Sequence, residues 1–192
     1  MSATRAIRRR ERWAGGLVLA LVAVALLLGL ALREAVLSRT VPFSFADAGI
    51  SGRCPAHWVR QAGEDPLLRA RDPLGGGCGS VLELRSRALM ADAQPAIVLD
   101  ALALERAGSE AAYRTLGTDQ VLVSGWSATR RGFTYVHAAC SPYVDQLPVV
   151  VRGMDLALRD GDRIVIVTLL ASAERFDADY RYLRDFIESL EL

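Results

Sequence analysis

No lysine and no asparagine occur among the 192 residues, so all 23 basic side chains are arginines. The absence of lysine excludes Schiff-base catalysis, a lysine general base and the lysine-bearing phosphate loop. Histidine is limited to His57 and His137 and cysteine to Cys54, Cys78 and Cys140, which leaves few ways to build a site from those residue types. The abundance of Ala, Leu, Gly and Val fits a GC-rich bacterial genome. Strong charge of either sign is also missing, but the net +1 is the sum of opposite halves. Residues 1–39 hold seven Arg against two acids, and residues 40–192 hold 16 Arg against 20. A mildly acidic body excludes nucleic acid as a partner, because a phosphate backbone requires a basic face.

What is present in excess is one apolar run. Ala14 to Leu32 carries no charge over nineteen residues, and such a helix is about 28 Å long, close to the roughly 30 Å hydrocarbon layer of a bilayer. Arg5, Arg8, Arg9, Arg10 and Arg12 precede it, whereas only Arg33 and Arg39 follow closely. The positive-inside rule then keeps the N-terminus in the cytoplasm. The expected organisation is a basic cytoplasmic tail at 1–12, a single-pass anchor at 13–33 with Trp13 at the interface, a linker at 34–39 and one extracytoplasmic domain at 40–192. The competing reading is a signal peptide cleaved after Ala31, with Gly29 and Ala31 as its small residues; the run is longer than a usual signal core. Cys54 lies too far downstream to accept a lipoprotein lipid.

Within the domain, Val41, Phe43 and Phe45 alternate with polar positions and predict an opening strand. Trp58 to Arg60 and Leu67 to Arg71 predict a hairpin turning at Glu64-Asp65-Pro66, followed by a strand over Ser80 to Arg87 after the Gly75-Gly76-Gly77 break. Asp92 to Ala107 reads as a helix burying Ile97, Val98, Ala101 and Leu104, with Pro95 in its first turn and Gly108 as its stop. Strands are expected over Val121 to Thr129, Phe133 to Ala139, Val149 to Leu158 and Arg163 to Leu170, with turns at Arg130-Arg131-Gly132 and Asp160-Gly161. Phe176, Tyr180, Leu183, Ile187 and Leu190 mark an amphipathic C-terminal helix. Strands grouped with two separated helices indicate an α+β domain, an antiparallel sheet of six or seven strands covered by two main helices.

Candidate chemistry is sparse. Three cysteines in an exported domain suggest one disulfide and one free thiol; a hairpin centred on Asp65-Pro66 sets Cys54 opposite Cys78, a bridge worth about 3–4 kcal/mol in the chain-entropy model. The alternative is a metal set of Cys54, His57, His137 and Cys140, formally complete for zinc. It competes with the bridge for Cys54, and His137 and Cys140, three apart on a strand, point to opposite faces. Gly125-Trp126-Ser127-Ala128-Thr129 lacks the last glycine of a nucleophile elbow and sits in a strand pattern, so Ser127 reads as a plain strand residue. Arg130-Arg131 would offer a forked contact to an anion or a partner carboxylate at a hairpin tip. Asp177, Asp179, Asp185, Glu188 and Glu191 read as a solvated helix face, and Trp58 and Trp126 as core aromatics.

The order of elements resembles the PsbP-like fold, which includes the PsbP subunit of photosystem II, a nuclear Ran-binding protein and bacterial exported proteins. The resemblance is carried by Val41-Pro42-Phe43-Ser44-Phe45, by Cys54-Pro55-Ala56-His57-Trp58-Val59, which is similar to the family's Pro-x-x-Trp, and by Gly125-Trp126-Ser127-Ala128 leading into Phe133-Thr134-Tyr135. The ending runs from Ile166-Val167-Thr168 through Phe176 to Phe186-Ile187-Glu188-Ser189-Leu190. What the resemblance implies is a docking or assembly module without catalysis. The expectation is therefore an anchored accessory protein of a membrane-associated complex. It would hold the bilayer through Ala14 to Leu32 and bind other membrane or extracytoplasmic subunits, with no catalytic residues and no cofactor. An exported small-molecule or metal-responsive binding domain is the alternative, with a hydrolase third.

Overall fold

A computed structural model describes residues 3–75, 78–88, 94–123, 125–138 and 147–192. Gly76, Gly77, Asp92 and Cys140 lie outside the described residues. The chain forms two units, Met1–Arg39 and Thr40–Leu192.

The first unit is one helix, α1 (Ala3–Leu37). Its apolar portion, Gly15–Leu37, is long enough to cross a bilayer, and its leucines and valines from Leu17 to Val36 are exposed. The helix takes in most of the expected linker at 34–39. Glu34 to Leu37 contain no glycine or proline to stop it, and Glu, Ala and Leu propagate a helix well.

The second unit opens with β1 (Thr40–Phe45), a short 3-10 turn at Ala46–Ala48 and β2 (Ile50–Pro55), paired antiparallel as a two-stranded ribbon. There follow β3 (Val59–Ala62), β4 (Leu68–Arg71), β5 (Val81–Ala88), α2 (Pro95–Ser109), β6 (Ala111–Val123), β7 (Trp126–His137), β8 (Val149–Asp160), β9 (Arg163–Ser172) and α3 (Phe176–Glu188). The last seven strands form one sheet in the order β3-β4-β5-β9-β8-β7-β6, antiparallel throughout. The α+β architecture is as expected.

Several boundaries differ from the sequence reading. Arg130-Arg131-Gly132 is not a turn but the middle of β7, and the hairpin reverses between Val123 and Trp126, which pair with each other, with Gly125 at φ +82°. A two-residue hairpin loop needs positive φ, which glycine supplies at no steric cost. The β8–β9 loop is likewise Gly161-Asp162, one residue later than expected, with Gly161 at φ +59°. Strand β6 begins ten residues before Val121. Arg114, Thr115, Thr118, Asp119 and Gln120 give it no apolar face, because it is the exposed terminal strand of the sheet. Helix α2 buries Leu99 and Leu102 and exposes Ile97, Ala101 and Leu104. In a helix apolar nearly all round, periodicity does not identify the inward face.

Alternation along β8 and β9 divides the core. Leu156, Leu158, Val165, Val167, Leu169 and Ala171 face α3, where Phe176, Leu183, Phe186 and Ile187 pack with Trp58, Ile50 and Cys54. Ala157, Ile164 and Ile166 face the other way, beneath Leu99 and Leu102 of α2. The ribbon closes the first core, with Phe43 stacked on Phe186 at 5.4 Å between ring centres. Trp58 is buried as expected, whereas Trp126, next to the β6–β7 turn, is 40% exposed.

Candidate functional site

On the α2 side of the sheet, paired residues line up as one polar row across all seven strands. Gln61 pairs with Arg69, Arg69 with Glu83, Glu83 with Thr168, Thr168 with Asp155, Asp155 with Arg131, and Arg131 with Thr118. Thr168 donates to Asp155 Oδ1 at 2.6 Å. Arg106, reaching down from the last turn of α2, donates to Oδ2 at 2.6 Å and Oδ1 at 3.0 Å, with its guanidinium 4.3 Å from the Phe133 ring centre. Asp155 is completely buried. Burial alone would lower the Arg106 pKa, but the carboxylate beside it outweighs that and holds the pKa above the usual arginine range. Arg131 completes the row through Asp100 at 2.6 Å and Thr118 at 2.9 Å.

Helix α2 covers the β6–β8 part of this face, and among the described residues the β3–β5 part is open. The opening is a groove of about 680 Å³. Its floor is Val81, Val151, Leu170 and Tyr135, its β3–β4 bank is Val59, Gln61, Arg69 and Arg71, and His137 stands at one end. At the other end Asp72 and Ser80 are tied together. Asp72 N–H donates to the Ser80 carbonyl at 2.8 Å, and Asp72 Oδ1 accepts from Leu74 N–H at 2.9 Å. Arg175 bridges Asp72 at 3.5 Å and Asp179 at 3.3 Å, and Ser80 donates to Asp179 at 2.5 Å. Gly79, at φ +60°, permits this closure, since a Cβ there would lie 2.7 Å from the Asp72 carbonyl oxygen. The row of the sheet next to the polar one keeps the floor apolar. Phe133 lies flat over its cross-strand partner Gly153, which leaves no room for a side chain.

The residues singled out from sequence are not brought together. Cys54 is a free, buried thiol in the α3-side core, so the Cys54–Cys78 bridge does not form. Cys78 borders the groove on the opposite face of the sheet and is disulfide-bonded. The hairpin argument fails because the hairpin comprises only β3 and β4: Cys54 belongs to β2, which pairs with β1 in the separate ribbon, and Cys78 lies beyond the end of β4. Burial pushes the Cys54 thiol up to about 11, against a smaller opposing effect of Arg60. His57 Nε2 accepts from the Trp58 indole N–H at 3.0 Å, and its buried Nδ1 has no partner among the described residues. The imidazole therefore offers no spare lone pair to a metal. His137 faces the groove, 3.9 Å from Glu110, so it cannot meet Cys54 and His57. Among the described residues no three His, Cys, Asp or Glu side chains gather. Arg130 and Arg131 lie on opposite faces of β7, and each is engaged. Arg130 forks onto Asp119 at 2.9 and 2.5 Å, which lowers the Asp119 pKa, and Arg131 is held by Asp100. They form no hairpin tip. Ser127 is a strand residue of β7, as expected, and Asp179 is buried rather than part of a solvated face.

The groove residues Arg69, Arg71 and Tyr135 were not singled out from sequence. The signal was there for the arginines: Leu68, Arg69, Ala70 and Arg71 alternate, which puts both cations on one face of β4. Burial, followed by the Glu110 charge, pushes the Tyr135 hydroxyl up to about 12.

No family model matches the sequence, and no curated protein matches it. Solved structures do. Cyanobacterial PsbP (CyanoP) from Synechocystis superposes with a TM-score of 0.59 at 9% identity, over 80% of this chain and 92% of that one. LpqN of Mycobacterium tuberculosis, described as involved in cell envelope biogenesis, gives 0.52 at 14% identity over 79% and 89%. The Saccharomyces cerevisiae Ran-binding protein Mog1p gives 0.52 at 10% identity over 80% and 95%. At such identities the likeness concerns architecture: the chain has the PsbP-like fold.

Proposed function

We propose that the protein is a membrane-tethered docking subunit. Helix α1 spans the cytoplasmic membrane with the N-terminus inside, and the domain at 40–192 binds partner proteins on the outer side without catalysis of its own. The observation that carries this reading is the state of the ionisable groups. The Cys54 thiol is buried and held protonated, the Tyr135 hydroxyl is pushed up to about 12, and Asp155 and Asp179 are closed into hydrogen-bonded networks. Neither the thiol nor the phenol is ionised near neutral pH, so neither is poised as nucleophile or base. Docking surface is supplied instead by Leu104 of α2 and by Leu116 and Leu122 of the terminal strand β6, all largely exposed. Fold relatives described as a Ran-binding protein and as a cell-envelope biogenesis protein support a binding role.

The test is extraction of the full chain in mild detergent, followed by size-exclusion chromatography and mass spectrometry. A companion protein in fixed proportion is expected, and it should be lost in the variants Leu104→Glu and Leu122→Glu. A lone monomer under repeated mild extraction would overturn the proposal. The topology is tested separately by a reporter fused after Leu192, which should be inaccessible from the cytosol.

A further inference from the structure

We infer that the groove over β3–β5, bounded at one end by Asp72, Pro73 and Gly79, is a binding site for a carboxylate carried on an apolar body. Its size falls in the range of small-molecule pockets, and its surface is divided into two parts that match the two parts of such a ligand. The floor of Val81, Val151 and Leu170 offers apolar surface. On the bank above it, Arg71 is exposed and has no ion pair among the described residues. Arg69 spends only its Nε on Glu83, at 3.4 Å, and its side chain is 53% exposed, so the terminal nitrogens of its fork are uncommitted.

Charge selects the sign. Asp72, the one acid in the lining, is held by Arg175, and Glu83 engages only the Nε of Arg69, so the bank presents Arg71 and the free end of the Arg69 fork. The groove is thus locally cationic on a domain whose arginines are outnumbered by acids, a contrast that concentrates anions there. Two guanidinium forks side by side on β4 suit the planar, two-oxygen geometry of a carboxylate. Gln61, paired with Arg69 in the same polar row, adds an amide able to donate to it.

The test uses the full chain in nanodiscs of zwitterionic lipid, with methyl-labelled Val and Leu, titrated with 4-phenylbutanoate, 4-phenylbutanol and 4-phenylbutylamine; empty nanodiscs correct for partitioning. The carboxylate should shift the methyl resonances of Val81, Val151 and Leu170 and leave those of Val165 and Val167, on the other face, in place. The alcohol and the amine should bind at least tenfold more weakly. Because Arg69 and Arg71 are exposed, Arg71→Gln and the double change Arg69→Gln with Arg71→Gln should keep the circular dichroism spectrum and lose about tenfold or more in carboxylate affinity. Equal binding of the alcohol or amine, shifts confined to other methyls, or unchanged affinity in the double variant would each overturn the site. The inference is independent of the docking proposal: the groove can fail here while a companion protein still co-purifies, and the reverse.

Discussion

On the α3 side of β8 and β9 the buried residues Leu156, Leu158, Val165, Val167, Leu169 and Ala171 are all aliphatic, while on the α2 side the same strands bury Asp155 and Thr168 among Ala157, Ile164 and Ile166. Both faces are closed by a helix, yet they are held by different physics. The α3 face is a continuous apolar core stabilised by area removed from water, a non-directional effect that tolerates changes conserving volume. The α2 face is pinned by a directional network in which one carboxylate accepts three hydrogen bonds from Thr168 and Arg106. A network of that kind is strong only while complete. The difference also locates the groove: an apolar half-face would have to be covered, whereas a sheet face bearing Gln61, Arg69 and Arg71 is stable open to water.

The largest effect should come from breaking the polar face at its centre. Asp155→Ala leaves Arg106 buried without its partner and should cost about 3–5 kcal/mol, read from urea unfolding followed by circular dichroism. The double change Arg106→Met with Asp155→Leu removes both charges and should recover most of that loss. On the α3 face, Leu183→Ala should cost about 2–5 kcal/mol through its cavity, and no paired deletion should restore it. If the double variant is as unstable as Asp155→Ala, the two faces do not differ in kind.

Smaller effects probe the edges of the comparison. Gly153→Ala forces a methyl into the Phe133 ring and should cost about 1–3 kcal/mol by overpacking. Asp179→Asn weakens the contacts to Ser80 and Arg175 that tie α3 to the groove loop and should cost about 1–3 kcal/mol. It should also speed proteolysis within the loop Asp72–Ser80, whereas Gly153→Ala should not.

How much of this was legible in the sequence follows the same division. The α3 face announces itself, because Phe176, Leu183 and Ile187 recur at helical spacing and the strands beneath alternate. The order of elements was readable for that reason. The polar row was not, because each strand contributes a single member and only the register of seven strands aligns Arg69, Glu83, Thr168, Asp155 and Arg131. Nor was the pairing of Arg106 with Asp155, 49 positions apart. The Arg130-Arg131 pair misled because charge and a following glycine imitate a turn. The strand continues there because Asp119 and Asp100 neutralise the two arginines on opposite faces. The cysteines misled because the hairpin does not extend to them: β2, which carries Cys54, turns away to pair with β1.

Titration distinguishes the faces without altering any contact, since each buries a group that ionises in the alkaline range. Burial raises Cys54 from 9.0 to about 11 on the α3 side and Tyr135 from 10.0 to about 12 on the α2 side. Each group is harder to ionise folded than unfolded, so its contribution is fully present below its unfolded value and is lost as pH climbs through the folded one. Stability should therefore hold to about pH 9, the ordinary value of the Cys54 thiol, and decline from there. Cys54→Ala should delay the onset, and Tyr135→Phe should blunt the later part of the fall.

The mildest probe is alkylation at pH 8. A buried, protonated thiol is a poor nucleophile, so iodoacetamide should leave Cys54 unmodified in the native protein. In denaturant without reductant, Cys54 should react while Cys78, being disulfide-bonded, should not. Labelling of Cys78 under those conditions would break the assignment that separates the two cysteines by face. Labelling of Cys54 in the native state would show that the α3 core opens far more readily than its packing implies.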